Sequence, residues 1–322
     1  IIGTMIAVSS NSWMSMWIGL EVNLLSIIPL MSNMKNKMES EAAMKYFITQ
    51  AMASTIFMLA IIMMLSNNDN LTSSKMSSMI MDLALLTKMG AAPLHFWFPE
   101  VMEGLSWINA MIMLTWQKIA PMIIFMYSIK PMMLTTSAII TSMMVSGIMG
   151  INQTSMRKIL AYSSINHIGW MIAAMITNQT LWMIYFMIYT MMTINITMMF
   201  KMMNISSINQ LMNSMNQNKT IKIMFSLNFL SLGGIPPFIG FFPKWITINS
   251  LIQEKMYLLT LIMIMMTLMT LVFYMRITFA SGIMISAESN LLQNKKIDHK
   301  IMISNFVILS LIASCPMMMS FI

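Results

Sequence analysis

Lys88-Met89-Gly90-Ala91-Ala92-Pro93-Leu94-His95-Phe96-Trp97-Phe98-Pro99-Glu100 and Leu232-Gly233-Gly234-Ile235-Pro236-Pro237-Phe238-Ile239-Gly240-Phe241-Phe242-Pro243-Lys244 interrupt otherwise apolar sequence. Displaced by 144 residues, Gly90 falls on Gly234, Pro93 on Pro237, Phe98 on Phe242 and Pro99 on Pro243. Proline lacks a backbone donor and its ring collides with the preceding turn, so both segments are expected to be broken helices. Broken backbone at membrane depth persists where protein or a wet cavity satisfies the freed groups. A matched pair of Gly/Pro-interrupted segments in two halves of a chain points to a transporter's ion path. The two stretches therefore predict charge moving past two helix breaks.

The surrounding composition sets the class. Of 322 residues, 58% are hydrophobic and 9% charged, with a mean hydropathy of +0.75. Soluble domains carry about 25% charged residues. Long apolar runs recur from end to end, so the chain reads as an all-α polytopic membrane protein. The absence of alternation excludes a transmembrane β-barrel. The 50 methionines are spread throughout. With abundant Ile, Asn and Lys, they point to an A/T-rich organellar genome whose code reads AUA as Met. The alternative, a Met-rich adaptable binding surface, would concentrate them. A single cysteine, Cys315, supplies neither an iron–sulfur cluster, a zinc site nor an internal disulfide. No signal-peptide pattern opens the sequence, and Ile1 implies a non-standard start codon or an incomplete N-terminus.

Eleven spans are expected, at about 1–10, 12–32, 42–65, 76–98, 105–127, 132–150, 158–177, 180–200, 222–250, 257–280 and 301–321. Alternating the intervening loops places ten Lys and Arg on one side and three on the other, with five in or near spans. By the positive-inside rule this puts the N-terminus on the positive, matrix-like side and the C-terminus opposite. The net charge of +8 is then mostly a topology signal, and nothing interleaves aromatic and basic residues as nucleic-acid binding would. The segment 201–222 reads as a long Asn-rich loop. The segment 282–300 reads as a wet loop, with an interfacial amphipathic stretch as the alternative.

Few charges lie inside the spans. Glu21 sits in the largely apolar stretch Trp17-Ile18-Gly19-Leu20-Glu21-Val22-Asn23-Leu24. A charge at the centre of a lipid-facing helix costs about 2.5–3.5 kcal/mol on insertion scales, so Glu21 must face the bundle, pair, or be neutral. The same holds for Lys88 ahead of the first break, Lys118 in mid-span and Lys244 after the second break. Burial disfavours the charged form of such groups and an opposite charge restores it, so a Glu/Lys pair is a switchable proton site. The bland readings are a structural carboxylate for Glu21 and a lysine snorkelling from a helix end for Lys244. His95 lies in the first break and His167 shares a helical face with Ser163 and Ser164, which makes both candidate relays or structural hydrogen-bonders. The eleven glycines form no nucleotide-binding motif, and His95, His167 and His299 lack metal-ligand spacing.

With these residues in place, a family resemblance emerges. Trp17-Ile18-Gly19-Leu20-Glu21-Val22-Asn23, Glu41-Ala42-Ala43-Met44-Lys45-Tyr46-Phe47, Ala91-Ala92-Pro93-Leu94-His95-Phe96-Trp97, Leu114-Thr115-Trp116-Gln117-Lys118-Ile119-Ala120-Pro121, Arg157-Lys158-Ile159-Leu160-Ala161-Tyr162-Ser163-Ser164 and Gly233-Gly234-Ile235-Pro236-Pro237 carry it. Together they resemble the antiporter-like core membrane-arm subunits of mitochondrial NADH–ubiquinone oxidoreductase, respiratory complex I. The match runs nearly the full length and is loose in 201–222 and 282–300.

The resemblance implies one antiporter-like transmembrane domain over 1–322. It would hold a first inverted five-helix repeat at about 1–127, a second at about 132–280 and a final helix at about 301–321. It implies a multi-pass protein of the mitochondrial inner membrane, N-terminus to the matrix and C-terminus to the intermembrane space. It implies a proton path of Glu21, Lys88, Lys118 and Lys244, coupled to electron transfer from NADH to ubiquinone. NADH, FMN, iron–sulfur clusters and ubiquinone would be handled by other subunits, leaving no cofactor or metal on this chain. Partners would be other membrane-arm subunits and lipids including cardiolipin, with no nucleic acid and no homo-oligomer. A stand-alone cation/proton antiporter and a membrane scaffold without its own proton path are the rival expectations. The short first span departs from the family pattern.

Overall fold

The computed structural model describes residues 1–33, 36–66, 71–129, 133–215 and 219–283. The expected last span at about 301–321 and most of the segment 282–300 lie outside them. Fourteen helices and no strand are found among the described residues. They are α1 (Ile2–Ser9), α2 (Trp13–Met31), α3 (Lys37–Ser66), α4 (Leu71–Met89), α5 (Trp97–Gly104), α6 (Trp107–Leu114), α7 (Trp116–Ser128), α8 (Met133–Ile151), α9 (Met156–Thr177), α10 (Gln179–Met203), α11 (Ile208–Met215), α12 (Lys219–Gly233), α13 (Phe241–Gln253) and α14 (Tyr257–Ile283). Seven stretches among the described residues are long and apolar enough to cross a membrane.

The expected helix breaks are present. The fourth span divides into α4 and α5, and the ninth into α12 and α13. The fifth span also divides, at Thr115, whose hydroxyl donates to the Met111 carbonyl. That interruption lies N-terminal to Pro121, which sits inside α7. The stretch 201–222 is not the long loop expected. α10 runs to Met203, Asn204 turns the chain at φ 52°, and α11 follows. The α11 start carries a Ser-x-x-Gln cap, in which the Gln210 side chain accepts from the Ser206 backbone and the Gln210 backbone donates to Ser207 Oγ.

The chain forms two compact units, Ile1–Ser142 and Met143–Ile322, dividing within α8. In the first, α3 packs on α2, α4 and α5, and α7 packs on α1, α2 and α4. Small residues let α1 and α2 touch backbone to backbone. A Cβ on Gly19 would come within 2.6 Å of the Ala7 nitrogen. This is the close approach typical of helices that associate in lipid. In the second unit, α9 packs on α10 and α13, and α14 packs on α12. Nearly all of α9 is buried, whereas α14 exposes Leu258, Leu261, Met265, Leu268 and Val272 at three- and four-residue spacing. That stripe is an apolar face that the second unit leaves uncovered.

Candidate functional site

Each break begins with the same backbone device. Gly90 and Gly234 take φ of 74° and 77°, a region where glycine carries no Cβ penalty. The Gly90 N–H donates to Thr87 O at 3.1 Å, and Gly234 N–H to Ser231 O at 3.0 Å. The next residue reaches back further: Ala91 N–H to Leu86 O at 3.0 Å, and Ile235 N–H to Leu230 O at 3.5 Å. These are the C-terminal caps of helices that stop on a left-handed glycine. The chain then turns through the proline-containing loop. It re-enters a helix with Phe98 N–H on His95 O at 2.9 Å and Phe242 N–H on Ile239 O at 3.3 Å. All three bonds repeat at the 144-residue displacement.

In the first unit the breaks and spans gather polar groups. Lys88 ends α4 and Lys118 sits in the first turn of α7; they are 7% and 2% exposed. The Lys118 ammonium lies 5.4 Å from the centre of the Phe98 ring, a cation–π contact at the re-entry of the first break. Glu21 on α2 is the carboxylate whose field reaches Lys88. The two form no ion pair within 4.0 Å among the described residues. One Glu21 oxygen, Oε1, is buried without a hydrogen-bond partner. A buried charged oxygen left open in this way is costly unless a proton or water meets it.

Around this trio lies a hydrogen-bonded frame. Asn23 Nδ2 donates to Gln117 Oε1 at 3.0 Å, and Gln117 Nε2 returns to Asn23 Oδ1 at 3.3 Å. Tyr46 donates to the same Gln117 oxygen at 3.5 Å. Asn23 and Gln117 fix α2 and α7 next to the residues that matter, two positions after Glu21 and one before Lys118. Gln50 on α3 donates to the Lys88 carbonyl at 3.3 Å, covering an open end of α4. Trp97 Nε1 covers another, on Thr87 O at 3.1 Å. His95 is buried in the break, its Nδ1 3.2 Å from Pro93 O.

In the second unit Lys244 is 5% exposed. Its ammonium donates to Gly233 O at 2.9 Å and Leu232 O at 3.4 Å. It does not snorkel to an interface but turns back onto the carbonyl end of α12. His167 on α9 is buried, with Nδ1 2.9 Å from Tyr185 Oη and its ring 5.0 Å from that of Tyr189. Ser163 and Ser164 are buried and donate to the Leu160 and Ala161 carbonyls. The structure thus places Glu21, Lys88, Lys118 and His95 in the first unit and His167 and Lys244 in the second.

Sequence reasoning passed over Asp82, which is 3% exposed on α4. The rule that singled out Glu21 applies equally to it. Reasoning also passed over Asn23, Tyr46, Gln50 and Gln117. Their polarity in a span was visible, but their pairing across helices was not.

This geometry recurs in known proteins. The profile described as NADH:quinone oxidoreductase/Mrp antiporter, TM, matches residues 10–270. NADH-ubiquinone oxidoreductase chain 2 of Anopheles gambiae is 45% identical over 284 residues, covering 87% of this chain and 83% of that protein. The protein of the same name from Locusta migratoria is 46% identical over 303 residues, covering 92% and 87%. The chain belongs to the NADH-ubiquinone oxidoreductase chain 2 family. The fold agrees with a chain in the structure of respiratory complex I from Thermus thermophilus with bound Aureothin. The TM-score is 0.86 at 20% identity, over 97% of this chain and 75% of that one. A chain of the Mrp complex from Dietzia sp. gives 0.74 at 15% identity, over 85% and 57%. The all-helical, polytopic membrane character expected from composition is shared by this family.

Proposed function

We propose that this chain is a membrane-arm subunit of respiratory complex I in the mitochondrial inner membrane. It converts the energy of electron transfer from NADH to ubiquinone into proton movement along Glu21, Lys88, Lys118 and Lys244. The observation that carries this reading is the burial of three lysines at or beside two backbone breaks, with the half-buried Glu21, one oxygen of which is fully buried, on a neighbouring helix of the same unit. Intramembrane ionisable groups are expensive, and their default role is functional. Nucleotide, flavin, iron–sulfur and quinone chemistry is assigned to other subunits of the complex. The N-terminus faces the matrix, on the ten-to-three division of loop charges.

Glu21 and Lys88 are not locked in an ion pair within 4.0 Å, so the pair is free to be made and broken. A movement of α2 toward α4 tightens the pair and raises the proton affinity of Lys88. A movement away releases the proton toward Lys118. Moving one charge against 100 mV costs about 2.3 kcal/mol. Two pKa units are worth about 2.7 kcal/mol, so making and breaking one such pair is of the required size. Lys244 holds a proton against the α12 carbonyls as a separate station, and His95 and His167 are candidate relays.

The test is Lys118→Met in the assembled complex. The proton yield per NADH and coupled turnover should be lost, while assembly persists. Full coupled pumping would discard the path, and would favour the scaffold reading if Lys88→Met and Lys244→Met were equally silent. A stand-alone antiporter would exchange cations when this chain is expressed without the other subunits.

A further inference from the structure

Asp82 is a buried acid that the mechanism above does not use. It lies on α4, six residues before Lys88, a rise of about 9 Å along the helix axis. One oxygen, Oδ1, accepts from Ser128 Oγ at 2.5 Å. Ser128 is the last residue of α7, the helix that carries Lys118. Two of the three residues that flank the proton site, Lys88 and Lys118, thus sit on the two helices that hold this acid.

The surroundings grade from wet to dry. On the face of α4 that Asp82 occupies, Lys75 is exposed, Ser78 and Met79 are half-buried and Asp82 is buried. The next residues on that face, Leu85, Leu86 and Met89, are apolar and buried. The elements packed against α4 are α3 and α7. Along α3, the stretch 52–66 holds no titratable side chain. On α7 the titratable groups are Lys118 and the exposed Tyr127, and on α4 itself Lys75 and Lys88. Asp82 is therefore the one acid set between the exposed Lys75 and the two buried amines among these described elements. Nothing about packing requires an acid there. A buried carboxylate is costly, and one hydroxyl partner offsets little of that cost.

We infer that Asp82, positioned by Ser128, is a proton-transfer residue joining the Lys88/Lys118 site to the aqueous face at the C-terminal end of α7. In the inward step the Asp82 Oδ–H bond breaks and a lysine N–H bond forms through intervening water. The outward step is the reverse, and the carboxylate is recharged from the aqueous face. The inference rests on the reading that these lysines carry protons.

The experiment uses the complete complex in proteoliposomes, with Asp82→Asn, Asp82→Glu, Ser128→Ala and Lys88→Met. Asp82→Asn keeps the acceptor for Ser128 but cannot hold an exchangeable acidic proton. Coupled turnover and proton yield should fall about a hundredfold or more, the range lost with a positioned acid–base group. Asp82→Glu should restore part of the loss, and Ser128→Ala should displace the pH profile of coupled turnover while leaving its maximum largely intact. An Asp82→Asn complex with unchanged proton yield and pH profile overturns the inference. So does an unchanged pH profile in Ser128→Ala, which decides the matter if Asp82→Asn fails to assemble. Lys88→Met separates the two claims: if it pumps fully, the lysine path has failed. If it is inactive and Asp82→Asn is silent, the path stands and the role of Asp82 does not.

Discussion

The two helix breaks share a backbone and differ in their charges. Both stop on a left-handed glycine, both make the same two capping bonds, and both restart on a phenylalanine N–H. Yet the lysines occupy opposite flanks. Lys88 stands before the first break, where the second has Leu232. Lys244 stands after the second break, where the first has Glu100. Glu100 turns outward to Lys45 at 2.9 Å in an exposed pair, with Glu41 at 3.1 Å on the other side, and such pairs contribute little. The open carbonyls are also met differently. A neutral amide, Gln50, covers Lys88 O in the first unit, while an ammonium covers Leu232 O and Gly233 O in the second. A cation at a helix C-terminus is favoured by the macrodipole and makes a stronger, charge-assisted bond. The frame is therefore generic, and the two halves differ in which flank bears the amine. In the first unit the amine answers to a carboxylate on another helix. In the second it answers to the broken helix itself.

This contrast can be broken most severely at Gly240. A Cβ there would overlap the Ser231 carbonyl, which is backbone and cannot swing away. The matching residue of the first break, Phe96, carries a whole ring, 71% exposed. Gly240→Ala should cost more than about 3 kcal/mol and leave only traces of assembled complex on native gels, whereas Phe96→Ala should assemble normally. Equal abundance of the two variants would show that the breaks tolerate the same changes.

A smaller effect separates the lysines. Lys244→Met removes both the proposed proton carrier and the cap of α12, so pumping and the thermal-inactivation temperature of the complex should fall together. Lys88→Met leaves Gln50 on its carbonyl, so pumping should fall with little change in inactivation temperature. The same temperature loss in both would remove the distinction drawn here.

The smallest effect concerns Gln50 itself. Gln50→Leu strips the Lys88 carbonyl of its donor and should destabilise by about 1–3 kcal/mol. Coupled turnover, measured at a temperature where the variant complex is intact, should stay within about twofold. A loss as large as that of Lys88→Met would make Gln50 part of the proton path.

Much of this was legible beforehand, for a physical reason. Proline and glycine act locally, so the breaks could be placed from Gly90, Pro93, Gly234 and Pro237 without any neighbour. Intramembrane charges are so expensive that Glu21, Lys88, Lys118 and Lys244 stood out by composition alone. The misreading of 201–222 had a local signal too, the Ser207–Gln210 cap, masked by the weight given to asparagine. Asp82 was open to the same argument as Glu21.

The sequence by itself determined that the chain is helical and membrane-bound, where two of its helices break, and that Glu21, Lys88, Lys118 and Lys244 stand inside its spans. Those properties depend on residue type and spacing along one strand of chain. The tertiary structure alone decided that Lys244 folds back onto α12, that Gln50 serves Lys88, that Asn23 grips Gln117 and that Ser128 holds Asp82. Each of those joins groups from different helices or across a turn. A hydrogen bond has a reach of about 3 Å, and no pattern in one helix specifies which side chain another helix will bring that close.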